Sequence, residues 1–166
     1  MFQINEYVIH TTGGICKISA IAPLSIPNSD RKKDYYHLIP VSARGSKVYV
    51  PVDCDNAIRK IYTREEALAL IDDVPEIEEL IIDNEKLRET RYKEVIRSCD
   101  PYELVKVLKN LNTRRTKRLE EGKKSTATDD KYFKMAEENL YSELAFVLGM
   151  DKADVKDKVF GQIAVN

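Results

Sequence analysis

Tryptophan is absent, and histidine occurs only as His10 and His37, so general acid–base chemistry at neutral pH has two imidazoles to draw on. The three cysteines, Cys16, Cys54 and Cys99, are too few and too scattered for a disulfide framework, and no Cys-x-x-Cys occurs. This pattern argues for a reducing compartment and leaves a zinc site without any local ligand spacing. No apolar run approaches the roughly 20 residues that a membrane helix needs. The opening Met-Phe-Gln-Ile-Asn-Glu also lacks the basic start and apolar stretch of a signal peptide. The expectation is a soluble cytoplasmic protein with no metal, no cofactor, no small-molecule substrate and no membrane attachment.

What the chain does have is charge, unevenly placed. Its formal net charge is −1, with 33% of residues charged and 43% hydrophobic, which is near the norm for a chain that folds. Residues 1–62 carry +3, residues 63–85 carry −8, residues 86–124 carry +7 and residues 125–166 carry −3. A basic segment beside an acidic one can meet DNA locally while the whole molecule stays close to neutral.

The hydrophobic period changes once along the chain. In the first sixty residues, β-branched and aromatic residues cluster in short runs broken by turn residues: Glu6 to Thr11, Gly14 to Ile21, Tyr35 to Val41, Ser46 to Val52 and Ile58 to Tyr62. A turn from Pro23 to Asp34, with Arg31-Lys32-Lys33 at its tip, separates the second and third. Five short strands predict a small barrel or curled sheet. At Thr63 the period lengthens, and Thr63-Arg64-Glu65-Glu66 has the form of a helix capping box. Ala67, Leu68, Ile71 and Val74 line that helix, and Pro75 opens a short second one through Ile77, Leu80 and Ile81. Residues 85–97 form a third, marked by Leu87, Tyr92, Val95 and Ile96.

Asp100-Pro101-Tyr102-Glu103 starts a fourth helix, with a capping aspartate and a proline at the first helical position. Its apolar stripe of Leu104, Leu108 and Leu111 gives way to Arg114, Arg115, Lys117 and Arg118 before Gly122. Thr126 with Asp129, or Thr128, caps a long helix through Tyr132, Ala136, Leu140, Leu144 and Val147 that ends at Gly149. A short helix follows from Asp151, with a frayed tail after Phe160. The fold class is therefore α+β with two domains: a β domain over residues 1–62 and a helical domain over residues 63–160.

No catalytic constellation emerges. His10 and His37 lie in predicted strands, and a surface hydrogen-bonding role explains His10 beside Thr11 and Thr12 better than acyl transfer does. The adjacent acids Asp72-Asp73, Glu78-Glu79 and Glu137-Glu138 diverge by about 100° on a helix rather than converge. Gly13-Gly14 lacks the lysine of a phosphate loop and fits a tight turn. The strongest physical clue is basic: Arg114-Arg115-x-Lys117-Arg118, continued by Lys123-Lys124 and joined by Arg88, Arg91 and Lys93 one helix earlier. Interspersed acids leave open the plainer reading that these residues only solvate their helices.

Several segments together resemble a known family. Val8-Ile9-His10-Thr11-Thr12-Gly13-Gly14-Ile15-Cys16-Lys17-Ile18, Tyr35-Tyr36-His37-Leu38 and Val48-Tyr49-Val50-Pro51-Val52-Asp53 are similar to the amino-terminal module of CarD-type, or CdnL-like, bacterial transcription regulators. Leu87 to Lys93, Arg114 to Leu119 and Ala136 to Ala145 are similar to its helical part, so the resemblance covers roughly residues 1–150 in order. It implies a Tudor-like (SH3-like) barrel that docks on the RNA polymerase β subunit. It also implies a helical domain that meets promoter DNA at the upstream edge of the bubble and modulates open-complex stability, weakly dependent on sequence and without enzymatic activity.

On that resemblance Val48, Tyr49 and Val50 form the polymerase-binding strand. Arg91 and Lys93 match basic positions on the family's DNA-facing helix, and the clustered charges add Arg88, Arg114, Arg115, Arg118, Lys123 and Lys124 to the DNA-binding set. Physically, an edge strand at Val48-Tyr49-Val50 can align with a partner strand. The alternative is a core pair, Val48 and Val50, flanking an ordinary surface tyrosine. Two departures stand out. His10-Thr11-Thr12-Gly13-Gly14 replaces a Tyr-Pro-x-His-Gly-like stretch, and the tryptophan that relatives wedge against a base is missing, with Ile81 or Arg88 nearby depending on register. A protein-interaction module whose basic helices never touch nucleic acid remains the competing reading.

Overall fold

The computed structural model describes residues 1–12, 14–29, 32–43, 45–54 and 56–164, so Gly13 of the expected turn and Arg31 of the expected basic tip lie outside the described residues. The chain divides into two compact units, Met1–Ile61 and Tyr62–Asn166.

The first unit is a five-stranded antiparallel sheet of β1 (Tyr7–His10), β2 (Gly14–Pro23), β3 (Asp34–Pro40), β4 (Val48–Pro51) and β5 (Ile58–Lys60), in the order β4-β3-β2-β1-β5. The sheet is open, with β4 and β5 on its two edges, so the expected small barrel takes its curled, unclosed form. Alternation puts Val8, Cys16, Ile18, Tyr36, Leu38, Val50 and Ile58 on one buried face, as period-two strands require. Between β2 and β3 the register slips from Ile18↔Leu38 to Ala20↔His37. Ser19 is left over, and its hydroxyl donates to the His37 carbonyl at 2.9 Å. A bulge of this kind bends the strand and adds twist. Burial holds the Cys16 thiol pKa up at about 11, which keeps it an inert core group. His10 is buried rather than at the surface, with the Thr12 amide donating to its Nδ1 at 3.3 Å.

The second unit is helical: α1 (Arg64–Asp73), α2 (Arg88–Ser98), α3 (Pro101–Glu120), α4 (Ala127–Leu148) and α5 (Lys152–Ala164). The capping box at Thr63 forms as the sequence predicts, Thr63 Oγ1 accepting from the Glu66 amide at 3.2 Å and the Glu66 carboxylate from the Thr63 amide at 2.7 Å. Asp100 Oδ1 accepts from the Tyr102 and Glu103 amides at 2.9 and 3.3 Å, which satisfies donors that the first turn of α3 would otherwise leave open. Thr126 Oγ1 accepts from the Asp129 amide at 3.1 Å, and Gly149, at φ +64°, closes α4 in the left-handed region that glycine adopts without strain. One apolar core joins all five helices, with Leu70, Tyr92, Leu104, Leu108, Leu111, Tyr132, Leu140 and Leu144 fully buried. Each such aliphatic side chain contributes about 1.5–3 kcal/mol by leaving water.

Four expectations are corrected here. Leu70, not Leu68, completes the buried stripe of α1, because Ala67, Leu70, Ile71 and Val74 follow the three-and-four spacing and leave Leu68 exposed. Leu87 is likewise exposed, standing at the N-cap of α2 after a 3₁₀ turn, Glu85–Leu87.

No helix runs through Ile77, Leu80 and Ile81. Val74–Glu76 makes one 3₁₀ turn, and the chain beyond it is a strap bonded to α3. The Leu80 amide donates to Lys106 O at 3.0 Å, Asn110 Nδ2 to Leu80 O at 3.0 Å, and Lys109 Nζ to Pro75 O and Ile77 O at 3.3 and 2.5 Å. Side-chain donors on α3 satisfy the carbonyls that a helix would have satisfied internally. Finally, α5 continues past Phe160 to Ala164, because Val155, Val159 and Ile163 repeat at four-residue spacing on the core.

Candidate functional site

In the first unit, β4 places Val48, Tyr49 and Val50 opposite Leu38, His37 and Tyr36 of β3. Val50 is buried at 3% exposure and Val48 half-buried against the core, whereas Tyr49, on the other face, is 40% exposed. Its ring meets His37 edge-on, with centroids 4.9 Å apart and planes at 89°. His37 is in turn fixed by Nε2 donating to the Ala22 carbonyl at 3.2 Å. The tyrosine is thus a held aromatic on an edge strand whose outer side has no strand partner among the described residues. An edge with unpaired amides and carbonyls and a presented aromatic is suited to pairing with another chain.

In the second unit, the basic residues gather at the first turn of α4. Arg88 Nη1 and Arg114 Nε both donate to the Asp129 carboxylate, the latter at 3.3 Å. Asp129 is 5% exposed. Glu85 joins the same pair of guanidiniums: its oxygens accept from Arg114 Nη1 at 3.2 and 3.3 Å and lie 3.3 Å from Arg88 Nε. Burial works against the Arg88 charge, but its contacts with Tyr92 and Asp129 outweigh that and raise its pKa. Its guanidinium also lies over the Tyr92 ring, 5.6 Å from the centroid, and Tyr92 OH donates to Asn110 Oδ1 at 2.5 Å.

The neighbouring residue on α3 makes a second junction. Arg115 Nη2 donates to Asp130 Oδ1 at 3.1 Å, and its guanidinium covers the Phe133 ring at 4.7 Å. The Ser125 hydroxyl, foremost, and then Arg115 hold the Asp130 carboxyl below its ordinary pKa. One turn on, Arg118 Nε donates to the Lys124 carbonyl at 2.7 Å, which closes the α3–α4 connection, and Lys123 Nζ pairs with Glu121 at 3.0 Å.

The structure therefore brings Arg88, Arg114, Arg115, Arg118 and the Lys123–Lys124 segment around one end of the α3–α4 hairpin. It does not bring Arg91 and Lys93 together. Two positions apart, they diverge by about 160° around α2. Arg91 pairs with Glu94 at 2.9 Å, while Lys93 pairs at 3.2 Å with Glu89, the carboxylate that also accepts from Tyr132 OH at 2.7 Å. Of the two side chains weighed for the place of the missing tryptophan, Ile81 is 70% exposed, and Arg88, with a side chain 15% exposed, is held in the Asp129 cluster.

Asp130 and Glu85 escaped the sequence reading, and Asp129 entered it only as a capping partner of Thr126, not as the acceptor for two arginines. A signal for Asp129 existed, since it heads the buried stripe Asp129, Tyr132, Phe133, Ala136, Leu140, where a carboxylate needs cationic partners. Glu85 and Asp130 carried no comparable signal. Among the described residues, no group of three or more His, Cys, Asp or Glu side chains is arranged to hold a metal ion, and no helix is long and apolar enough to cross a membrane.

Residues 2–62 match the CarD-like/TRCF RID domain, and residues 69–160 match the CarD C-terminal domain. No curated protein matches the chain. A Tudor-like polymerase-interacting module followed by this helical module defines a class, the transcription regulators that interact with RNA polymerase. The chain belongs to the CarD family within it.

Proposed function

We propose that residues 1–62 dock on the RNA polymerase β subunit through the β4 edge, with Val48 and Val50 setting the strand and Tyr49 supplying the contact. Residues 63–160 then meet promoter DNA at the upstream edge of the bubble and modulate the stability of the open complex. The protein is a cytoplasmic bridge between two macromolecules and not an enzyme. The observation that carries the DNA half is the convergence of Arg88, Arg114, Arg115 and Arg118 around the first turn of α4. Phosphate oxygens need several donors at once, and sequence-independent affinity grows with the number of phosphates met. Arg91, Lys123 and Lys124 extend the positive surface, Lys93 adds charge on the opposite side of α2 from Arg91, and the exposed Ile81 meets an unstacked base in place of a tryptophan.

A second reading has its own support. Arg88, Arg91, Lys93, Arg114, Arg115 and Lys123 each already pair with a carboxylate, which is what cations that only hold helices together would do. Pairs between exposed side chains are weak and screened by salt, so they do not by themselves keep phosphate away. Anisotropy titration of forked promoter DNA at several salt concentrations, with and without polymerase, separates the two. Steep weakening with salt supports the bridge. No binding even with polymerase present supports the interaction-only module.

A further inference from the structure

We propose that Glu85 is a displaceable occupant of a phosphodiester site formed by Arg88 and Arg114, so that DNA backbone enters by exchanging one exposed carboxylate for a phosphate. The inference rests on the reading of residues 63–160 as DNA-facing. It adds which donors take the phosphate and what holds them beforehand.

The two acids of the cluster differ in kind. Asp129 has a side chain 6% exposed and sits in the first turn of a 22-residue helix, where its own amide is capped by Thr126. It fixes where the guanidiniums stand. Glu85 has a side chain 66% exposed and rides on a three-residue 3₁₀ turn. It lies at the solvent side of the same guanidiniums, whose side chains are 15% and 26% exposed.

With both acids engaged, two positive and two negative charges cancel. With Glu85 swung away, one positive charge remains, fixed in place by Asp129. The donors match a phosphate. Arg114 Nη1 points at the Glu85 oxygens, and Arg88 Nε is buried with no aligned acceptor among the described residues. A guanidinium carries five donors in a planar fork that fits two phosphate oxygens at least as well as two carboxylate oxygens. The leaving pair is weak because it is exposed, whereas each phosphate neutralised on a duplex also releases condensed counterions, which a tethered carboxylate does not. Exchange thus favours a polyanion over a single free anion.

The test uses the whole chain and fluorescence anisotropy on forked duplex DNA across a salt series, comparing wild type, Glu85→Gln and Glu65→Gln. Glu65 is an exposed acid on α1 and controls for overall charge. Glu85→Gln should bind about two- to five-fold tighter at low salt, as removal of a weak exposed competitor allows, with the gain shrinking as salt rises. Glu65→Gln should stay near wild type. In the Glu85→Gln protein, DNA should also shift the Nε–H resonances of Arg88 and Arg114 in nitrogen-resolved NMR spectra. If wild type binds but Glu85→Gln gains nothing, gains no more than the control, or leaves both Nε–H signals unmoved, the exchange site is wrong and the DNA-facing reading stands. If no variant binds DNA, both fall.

Discussion

Asp129→Asn is the substitution whose effect can be worked furthest from the structure. Asn is isosteric, so no cavity opens and the first turn of α4 keeps its Thr126 cap. Charge and donor pattern change instead. The Asp129 carboxylate accepts from Arg88 on one oxygen and from Arg114 Nε on the other. An amide can serve only one of them and turns an N–H₂ donor toward the second. Removing one partner of a fully buried ion pair costs about 3–5 kcal/mol. Here the arginine side chains are 15% and 26% exposed, and Glu85 continues to offset part of their charge, so the loss should be nearer about 2–3 kcal/mol. In a unit of this size that corresponds to a midpoint lower by about 8–12 °C in thermal unfolding followed by circular dichroism or calorimetry. A loss below about 1 kcal/mol would refute the assignment of Asp129 as the electrostatic anchor of the cluster.

Other outcomes follow from single contacts. Tyr49→Ala should leave stability within about 0.5 kcal/mol, because the side chain is exposed, yet weaken polymerase binding by about 1–2 kcal/mol in a quantitative pull-down. Equal retention of the folded variant counts against the β4 interface. Lys109→Met should leave the Ile77 carbonyl without its Lys109 donor and cost about 2 kcal/mol, with faster amide exchange across residues 77–84. Unchanged protection would show that the strap is held by its apolar contacts alone. Burial lowers the His10 pKa below its ordinary 6.5, and Nδ1 already accepts from the Thr12 amide, so the imidazole is held neutral. The unfolded chain then binds more protons than the folded one, and the stability of the β unit should fall as pH drops below about 6.5 and through the lowered folded value. An NMR titration of the two histidines, assigned with His37→Gln, checks the direction. A His10 midpoint at or above 6.5 contradicts it.

The period change at Thr63, the caps at Thr63, Asp100 and Thr126 and the terminator Gly149 were legible because each is a local pattern that tertiary context did not override. The strap at residues 77–84 was not, since apolar Ile77, Leu80 and Ile81 at helical spacing look the same whether α3 donates to their carbonyls or a helix does. Leu68 and Leu87 were misplaced for a related reason: with two leucines in Ala67-Leu68-Ala69-Leu70, composition alone cannot choose which faces the core. For the candidate site, the run at Arg114–Arg118 could be seen, but its convergence with Arg88 on one aspartate from a third helix depends on packing. Arg91 and Lys93 were matched to basic positions of the family's DNA-facing helix, and two positions on a helix place them on nearly opposite sides.

The structure also changes which residues should carry a functional test. Reversing Arg114 would set a third acid beside Asp129 and Glu85 and confound binding with folding, whereas Arg91 and Lys124 are exposed and take no part in that cluster. The lifetime of open promoter complexes, measured with purified polymerase after a competitor challenge, tests the bridge most directly. Wild-type protein should change that lifetime. Tyr49→Ala should lose the effect together with polymerase retention, and Arg91→Glu with Lys124→Glu should lose it while remaining bound to polymerase. A wild-type protein that leaves the lifetime unchanged, or a doubly charge-reversed protein that acts as fully as wild type, would contradict the account.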